Sequence, residues 1–142
     1  MTNQGTGVDE SLQTGDILET AHQLSELQSF VQMLERSGLA SELREPNSRT
    51  LFAPVNRAFE SMPGDLLAER ERLGEIVAKH IVKGRQTEAD LRLISSVKTI
   101  SGDSIPVEFR SEGSRFGRAL IIKRDIACRN GLIHLLDQFA AD

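Results

Sequence analysis

The sequence predicts a single α+β domain, in which helices dominate the first half of the chain and strands the second. Hydrophobic residues recur every three or four positions between residues 16 and 37 and again between 66 and 82, which indicates amphipathic helices. After Gly84 the period changes, and short β-like runs alternate with turn residues. One strand candidate, 49–53, is inserted early. Because helices and strands are segregated, the pattern favours α+β over alternating α/β.

Length and composition agree with one globular domain. The chain has 142 residues, of which 39% are hydrophobic, with six Phe and no Trp or Tyr. A chain of about 150 residues buries roughly 68–70% of its unfolded surface, so it needs no disulfide or metal for stability. The single cysteine, Cys128, is predicted to be a buried and inert thiol. A reactive thiol beside Arg129 is the alternative.

Residues 1–14 are predicted to form a disordered tail, and residues 15–142 the domain. The tail is rich in Gly, Thr, Gln and Asn. It shows no basic, apolar and cleavage regions of a secretory signal, so the sequence as written predicts a cytoplasmic protein. A signal removed before this start would instead predict a secreted or periplasmic one. No stretch approaches 18 apolar residues, so no membrane span is predicted.

Caps and breakers bound the predicted helices. Asp16 is a predicted N-cap, and Gly38 suits the left-handed position that ends a helix. Asn56 is predicted to cap a short helix, and a longer helix is predicted from Leu66 to Val82. Turn residues predict breaks between these segments at 45–48, Pro63-Gly64 and Gly84.

Strands are predicted from β-branched and apolar runs between turns. The early strand ends at Pro54, because proline has no N–H to donate to a sheet. Four further strands are predicted at Ser96 to Ile100, Ile105 to Phe109, Ala119 to Lys123 and Leu132 to Leu136. Turns are predicted at Gly102-Asp103, 112–114 and Asn130-Gly131, the last because both residues tolerate positive φ.

A cluster of basic residues lies in a chain of net charge −4 and pI about 5.4. The cluster comprises Arg110, Arg115, Arg118, Lys123, Arg124 and Arg129. Alternation along strands predicts that these side chains form the solvated face of a sheet, with a local binding patch as the alternative. Phosphate-backbone binders usually have a high pI, so no nucleic-acid partner is predicted.

The residues that carry chemistry give little support for an enzyme. His22, His80 and His134 are far apart and lack the paired spacing of zinc ligands. No Gly-rich phosphate loop and no G-x-S-x-G segment occurs. The sequence therefore predicts no catalytic residue, no metal site and no cofactor.

Two histidines have apolar surroundings. His80 lies on the apolar face of its predicted helix, and His134 shares a strand face with Leu132 and Leu136. A buried imidazole must find hydrogen-bond partners or destabilise the fold. We predict that His134 holds loop backbone in the core. A ligand-facing or pH-sensing role is the alternative for both histidines.

Five segments, in order and at matching spacing, resemble the signature segments of fasciclin domains. Residues 50–59 (TLFAPVNRAF) are similar to the family's T-[LV]-F-A-P-[TS]-[ND]-x-A-F, and 130–137 (NGLIHLLD) to its N-G-[VL]-I-H-x-[IL]-D. Between them, 79–84 (KHIVKG), 97–102 (VKTISG) and 125–126 (DI) lie where the family has a Tyr-His segment, a T-x-x-G turn and an Asp-Ile pair.

The resemblance implies a fasciclin-like β-sandwich or wedge with helices packed on one side. The implied structural residues are Thr50, Phe52, Pro54, Asn56, Phe59, Asn130, Gly131, His134 and Asp137. In animal members the Tyr-His segment and the Asp-Ile pair have been linked to integrin recognition. The implied partner-binding residues are therefore His80, Ile81, Val82, Asp125 and Ile126. The chain departs from the family at Lys79 in place of Tyr and at Lys83 in place of Pro.

The resemblance also implies a function: a non-catalytic adhesion or binding module that presents a surface to a protein or glycan partner. We expect a stand-alone bacterial member, monomeric or weakly dimeric, with an exposed apolar patch near His80 or on a sheet edge. The alternative is a fasciclin fold recruited to bind or convert a small molecule in a cytoplasmic, biosynthetic setting. That alternative requires a concave apolar cavity with a few convergent polar groups.

Overall fold

The computed structural model describes residues 15–44, 48–61 and 70–140. Predictions for the tail, for most of the 45–48 turn, for Pro63-Gly64 and for the start of a helix at Leu66 lie outside these ranges. The helices are α1 (Ile17–Gln23), α2 (Gln28–Ser37), α3 (Arg70–Ala78) and α4 (Glu88–Leu91). The strands are β1 (Arg49–Pro54), β2 (Ile81–Lys83), β3 (Ser96–Lys98), β4 (Ser104–Arg110), β5 (Gly113–Phe116), β6 (Ala119–Cys128) and β7 (Gly131–Leu136). Short 3-10 segments lie at Ser25–Leu27, Ala40–Leu43 and Asn56–Ser61.

All seven strands belong to one sheet, in the order β2-β1-β7-β6-β5-β4-β3. Strands β3 to β7 form an antiparallel meander. The early strand β1 pairs parallel with β7, from Arg49 opposite Gly131 to Pro54 opposite Leu136, and antiparallel with β2. The end of β1 at Pro54 confirms the prediction made from the missing N–H.

The two edges of the sheet meet. Val82 of β2 forms an antiparallel bridge with Thr99, just beyond β3. The Ile100 N–H also donates a hydrogen bond to the Ile81 carbonyl oxygen at 2.9 Å. The sheet therefore curls into a wedge that is close to a closed barrel, and part of each edge strand is paired. The predicted α+β wedge is confirmed, although it is built by one curled sheet rather than by two.

Two apolar clusters occupy the two sides of the central strand pair. Every residue of β7 is buried, as expected for a strand covered on both faces. One side packs against α1, α2 and α3 through Leu51, Ala53, Ile133 and Leu135. The other side fills the wedge and includes Phe52, Val107, Phe116, Ile121 and Leu136. Three helices thus pack on one side of the sheet, whereas α4 contributes Leu91 to the interior of the wedge.

Helix termini follow the local sequence. Asp16 caps α1 in a capping box with Glu19, as predicted. Gly38 follows α2 with φ +83°, the left-handed conformation that glycine adopts without steric cost, as predicted. None of the helices within the described ranges is both long and apolar enough to cross a membrane.

The helix predicted to reach Val82 is shorter than expected. Helix α3 ends at Ala78, and Ile81–Lys83 forms strand β2, so Gly84 follows a strand and not a helix. Pairing with β1 offers Ile81 and Val82 backbone hydrogen bonds that a longer helix would forgo. This tertiary pairing outweighs a continuous apolar helical stripe.

One strand is absent from the prediction and one boundary differs from it. Strand β5 was not predicted and begins inside the segment predicted as a turn, and β6 extends to Cys128 instead of ending at Lys123. The register of β6 against β7 shifts twice between Ile121 and Ile126. Such irregularities break the strict alternation of buried and exposed residues, so the sequence pattern conceals the full length of this strand.

Candidate functional site

The first signature segment fixes a loop through Thr50. Its buried hydroxyl donates to the Gly84 carbonyl oxygen and accepts from the Gln86 N–H, both at 2.8 Å. Phe52, two residues on, stacks on Phe116 with the ring centroids 3.9 Å apart. These side chains attach β1 to the 84–86 loop and to the interior of the wedge.

Asn56 has a role that differs from the predicted one. It is the first residue of a 3-10 segment, and its side chain turns away from that segment. Its Oδ1 accepts from the Ser29 N–H at 3.0 Å, and its Nδ2 donates to the Ser25 carbonyl oxygen at 2.9 Å. Because Ser29 lies in the first turn of α2, which has no side-chain cap of its own, Asn56 caps a helix distant in sequence.

Asn130 acts in the same way on α1. Its Oδ1 accepts from the Ile17 N–H at 2.9 Å, and its Nδ2 donates to the Leu43 carbonyl oxygen at 3.1 Å. The predicted turn before the last strand is present, at 129–130, but it does not use the tolerance of positive φ, because neither Asn130 nor Gly131 has positive φ. Glycine is required at 131 for close approach: a Cβ there would overlap the Arg49 carbonyl oxygen and approach Ile17 Cδ1 to 2.8 Å.

His134 is completely buried and both of its ring nitrogens are bonded to backbone. Nδ1 accepts from the Asp125 N–H at 3.1 Å, and Nε2 pairs with the Gln86 carbonyl oxygen at 2.8 Å. These partners require the neutral ring with its proton on Nε2. Burial lowers the pKa of His134, which favours this neutral form. The ring joins the 84–86 loop to the irregular part of β6 and has no free nitrogen for a ligand.

A polar network extends from His134 to α4. Asp125, with φ 58°, accepts from the Glu88 N–H at 2.9 Å and so caps α4 from outside the helix. The carboxylate of Glu88 accepts from Ser114 Oγ at 2.7 Å and from Arg92 Nε at 3.0 Å. The Ser114 hydrogen bond is the main cause that lowers the pKa of Glu88, so its charge is stabilised although the residue is buried.

His80 is the second buried histidine. Nδ1 pairs with the Ile76 carbonyl oxygen at 2.8 Å, and Nε2 accepts from the Ala140 N–H at 3.0 Å. Burial lowers the pKa of His80 to about 4, so the ring is neutral at physiological pH. His80 therefore connects the end of α3 to the end of the described chain and, like His134, offers no free nitrogen.

The predicted partner-binding residues divide into two groups. His80, Ile81 and Val82 are buried, with 0%, 0% and 3% of their surfaces exposed, so a partner would not contact them in this conformation. Asp125 is exposed, but its carboxylate caps α4, and Ile126 is half-buried against the helical cluster.

Two further residues of the predicted structural set make contacts within the fold. Phe59 packs on Phe139, and the Asp137 carboxylate accepts from the Leu120 N–H at 2.9 Å.

Reactive and metal-binding groups are not assembled in the described ranges. Cys128 is 4% exposed, and burial raises the pKa of its thiol to about 11, so the thiolate nucleophile is scarce at neutral pH. Across 15–44, 48–61 and 70–140, no three His, Cys, Asp or Glu side chains are placed to share a metal ion.

An apolar surface lies at one end of the sheet. Leu93, Ile94 and Phe109 are 83%, 39% and 54% exposed, and we call these three residues the edge patch. The antiparallel pairing of β3 with β4 continues to Ser95, whose carbonyl oxygen accepts from the Val107 N–H at 2.9 Å. The chain at 93–94 therefore runs beside the end of β4, where Phe109 lies. The Arg92 guanidinium is 4.1 Å from the centroid of the Phe109 ring.

Sequence reasoning expected an exposed apolar patch near His80 or on a sheet edge but identified none of the residues of the edge patch, and it missed the Glu88 network. Phe109 continues the apolar alternation of Ile105 and Val107, which predicts a buried side chain. In the structure Phe109 lies near the end of β4 and is 54% exposed. The one available signal was the apolar pair Leu93-Ile94, which lies between a helical turn and a strand and belongs to neither pattern.

Comparisons with known proteins agree with this architecture. The family model of the fasciclin domain matches residues 25–140. The uncharacterized protein sll1735 of Synechocystis sp. is 31% identical over 126 residues, covering 86% of this chain and 94% of that protein. Human periostin is 29% identical over 146 residues, covering 97% of this chain and 16% of periostin.

A solved structure shows the same fold. A FAS1 domain pair from the insect cell adhesion molecule Fasciclin I superposes with a TM-score of 0.76 at 18% identity, covering 92% of this chain and 52% of the pair. The family match covers most of the chain, and the curled sheet with its buried signature residues agrees with it. The chain belongs to the fasciclin domain family.

Proposed function

We propose that the chain is a non-catalytic binding module that presents the edge patch to a protein partner. The observation that carries the proposal is the exposure of three neighbouring apolar side chains beside an arginine. Isolated exposed apolar residues are common, but contiguous ones mark interaction sites. Arginine and phenylalanine are enriched in protein interfaces, and two aliphatic side chains suit a protein better than a sugar.

The buried polar groups support binding over catalysis. The nitrogens of His80 and His134 bond to the backbone, and the Cys128 thiol is held in its neutral form. Recruitment to a small-molecule site, the alternative function, would need such groups to face a cavity. No specific observation favours it.

The family suggests the kind of partner only in outline. The similar FAS1 domain pair comes from a cell adhesion molecule, and we extend an adhesive role to this chain as part of the proposal. The contacts are placed at the edge patch because His80, Ile81 and Val82 are buried and the Asp125 carboxylate is already bonded.

Site-specific photo-crosslinking tests the proposal. A photoreactive phenylalanine analogue would replace Leu93 in one variant and Gln32, an exposed residue of α2, in the control. In extracts of the source organism we expect one protein to be crosslinked from position 93 and not from 32. The purified partner should then bind the chain in calorimetry and bind Leu93→Ser about tenfold more weakly. Equal crosslinking from both positions, or equal affinity for both chains, would refute the proposed surface.

A further inference from the structure

The edge patch lies in the most basic part of an acidic chain. Seven Lys or Arg and only three Asp or Glu occur between Leu91 and Arg124, although the whole chain has a net charge of −4. The seven are Arg92, Lys98, Arg110, Arg115, Arg118, Lys123 and Arg124. Strands β3 to β6 therefore carry net positive charge, and the rest of the molecule is negative. A surface of this sign attracts acidic partners.

Among these cations, Arg92 contacts Phe109: its guanidinium covers the ring. Arg110, the next residue of β4, lies on the opposite face of the strand, where it pairs with Glu108. Phe109 pairs across the ladder with Ser114, whose hydroxyl bonds Glu88. The pKa of Glu88 is lowered first by that hydrogen bond, and also by the bond to Arg92 and the charges of Arg92 and Arg124.

The network also orders the patch. Arg92 donates to the buried Glu88 carboxylate while its guanidinium lies over Phe109. A cation in this position attracts the electron-rich ring face, so the exposed ring is held in one orientation. Ordered apolar side chains with an arginine fixed among them lose little conformational entropy on binding.

Building on the proposed function, we propose that the edge patch binds an acidic amphipathic protein segment. Apolar side chains of that segment contact Leu93 and Phe109, and its carboxylates lie against Arg92 and the net positive charge of strands β3 to β6. Apolar contact supplies affinity, and the opposite charges supply orientation and a fast association rate.

A labelled synthetic peptide provides the test. The probe is a fluorescein-labelled peptide of roughly 16 residues, with Glu and Asp on one helical face and Leu and Phe on the other. One comparison peptide replaces Leu and Phe with Ser, and a second replaces Glu and Asp with Lys. Labelled oligodeoxythymidine is the polyanion control. Fluorescence anisotropy measures each Kd with the full chain at two salt concentrations.

Matched variants locate the site. Phe109→Ser removes the exposed ring, and Ile122→Ser removes a similarly exposed side chain (43%) from the opposite face of the sheet. Arg92→Gln removes the charge that lies over the ring. Thermal unfolding of each variant checks that it folds, which we expect because all three substituted residues are exposed.

We expect the acidic amphipathic peptide to bind more tightly than either comparison peptide, and more weakly as salt rises. Phe109→Ser and Arg92→Gln should each weaken binding about tenfold or more, and Ile122→Ser less than about twofold. Equal binding of the Lys peptide refutes the charge argument, and equal binding of the Ser peptide or of oligodeoxythymidine indicates a general polyanion surface. No binding at about 100 μM, or no effect of Phe109→Ser, overturns the proposal.

The peptide and crosslinking experiments together distinguish failure of the acidic-segment proposal from failure of the proposed function. If the acidic peptide does not bind but crosslinking from position 93 still captures a partner whose affinity depends on Leu93, the binding module stands and its partner is not acidic. If both experiments fail, the edge patch is not an interaction surface.

Discussion

At the residue scale, the polar signature residues act on backbone that is distant in sequence. Asn56, Asn130 and Asp125 each accept a hydrogen bond from a first-turn amide of α2, α1 and α4 in turn. Helix N-termini have amides without intrahelical partners, and side-chain acceptors satisfy them. The same residue types would suit local caps and turns, so their identity alone does not reveal which helix they cap.

His134 provides a residue-scale prediction. In His134→Ala, the Asp125 N–H and the Gln86 carbonyl oxygen lose their partner inside the fold and a cavity forms. We expect a loss of about 3 kcal/mol in the free energy of unfolding, measured by urea denaturation. His22→Ala, at an exposed histidine that pairs with Glu35, should cost less than about 0.5 kcal/mol. Similar losses in both variants would contradict the structural role of His134.

A second residue-scale prediction concerns Asn56. Asn56→Ala removes the acceptor for the Ser29 N–H and should destabilise the domain by about 1–2 kcal/mol. Asn56→Asp keeps the acceptor and adds a favourable charge at the start of α2, so it should recover most of the stability. Melting temperatures of the three proteins measure the order. Identical values for the Ala and Asp variants would show that this cap contributes nothing.

At the element scale, local patterns located most helices and strands but not all of their ends. The cap at Asp16 and the breaks at Gly38 and Pro54 act within a few residues, so the sequence predicts them. The end of α3 at Ala78 depends on the pairing of Ile81–Lys83 with β1, some 30 residues away. The length of β6 likewise depends on irregular pairing with β7. Non-local pairing therefore decided the boundaries that were mispredicted.

Because burial lowers the pKa of His80, we predict that the folded domain loses stability in acid. Its folded pKa of about 4 lies below its ordinary value of 6.5, so above pH 6.5 the ring is neutral in both states and the stability is complete. Below pH 6.5 the imidazole of His80 binds a proton in the unfolded chain, whereas in the folded chain it stays neutral down to about pH 4. Stability then declines by roughly 1.4 kcal/mol per pH unit until about pH 4. His134, whose pKa is also lowered, acts in the same direction.

Urea unfolding between pH 7.5 and 5 measures this decline, and His80→Gln isolates its origin. The variant cannot bind the extra proton, so its stability should fall less steeply than that of the unmodified chain. The lowered pKa of Glu88 affects stability only in more acidic solution, near and below the ordinary glutamate range. Parallel pH profiles for the two proteins would exclude His80 as the source.

At the scale of the whole molecule, the sheet closes through a few contacts between its edges. The bridge from Val82 to Thr99 and the bond from Ile100 to Ile81 join the first and last strands of the sheet order. This closure covers backbone groups that would otherwise invite pairing with another chain. A partner therefore has fewer free backbone groups to pair with at the edges of the sheet. For this reason the proposed docking site is the edge patch, which consists of side chains, and not a free strand edge.

Amide hydrogen exchange tests the closure. We expect the Ile100 amide to exchange as slowly as amides of β7, because opening its bond to Ile81 requires the sheet to separate. The Leu93 amide, whose hydrogen bond to the Asp90 carbonyl oxygen lies within an exposed turn, should exchange much faster and provides the internal reference. Fast exchange at Ile100 would mean that the wedge opens independently of global unfolding.

The sequence by itself determined the α+β class, the early strand ending at Pro54, the cap at Asp16 and the presence of two histidines in apolar surroundings. Each of these depends on periodicity or on chemistry within a few residues. Only the tertiary structure decided which helices Asn56, Asn130 and Asp125 cap, and that the segment after His80 is a strand. It also decided that Phe109 emerges beside Leu93, because exposure at the end of a strand depends on where its neighbours stop.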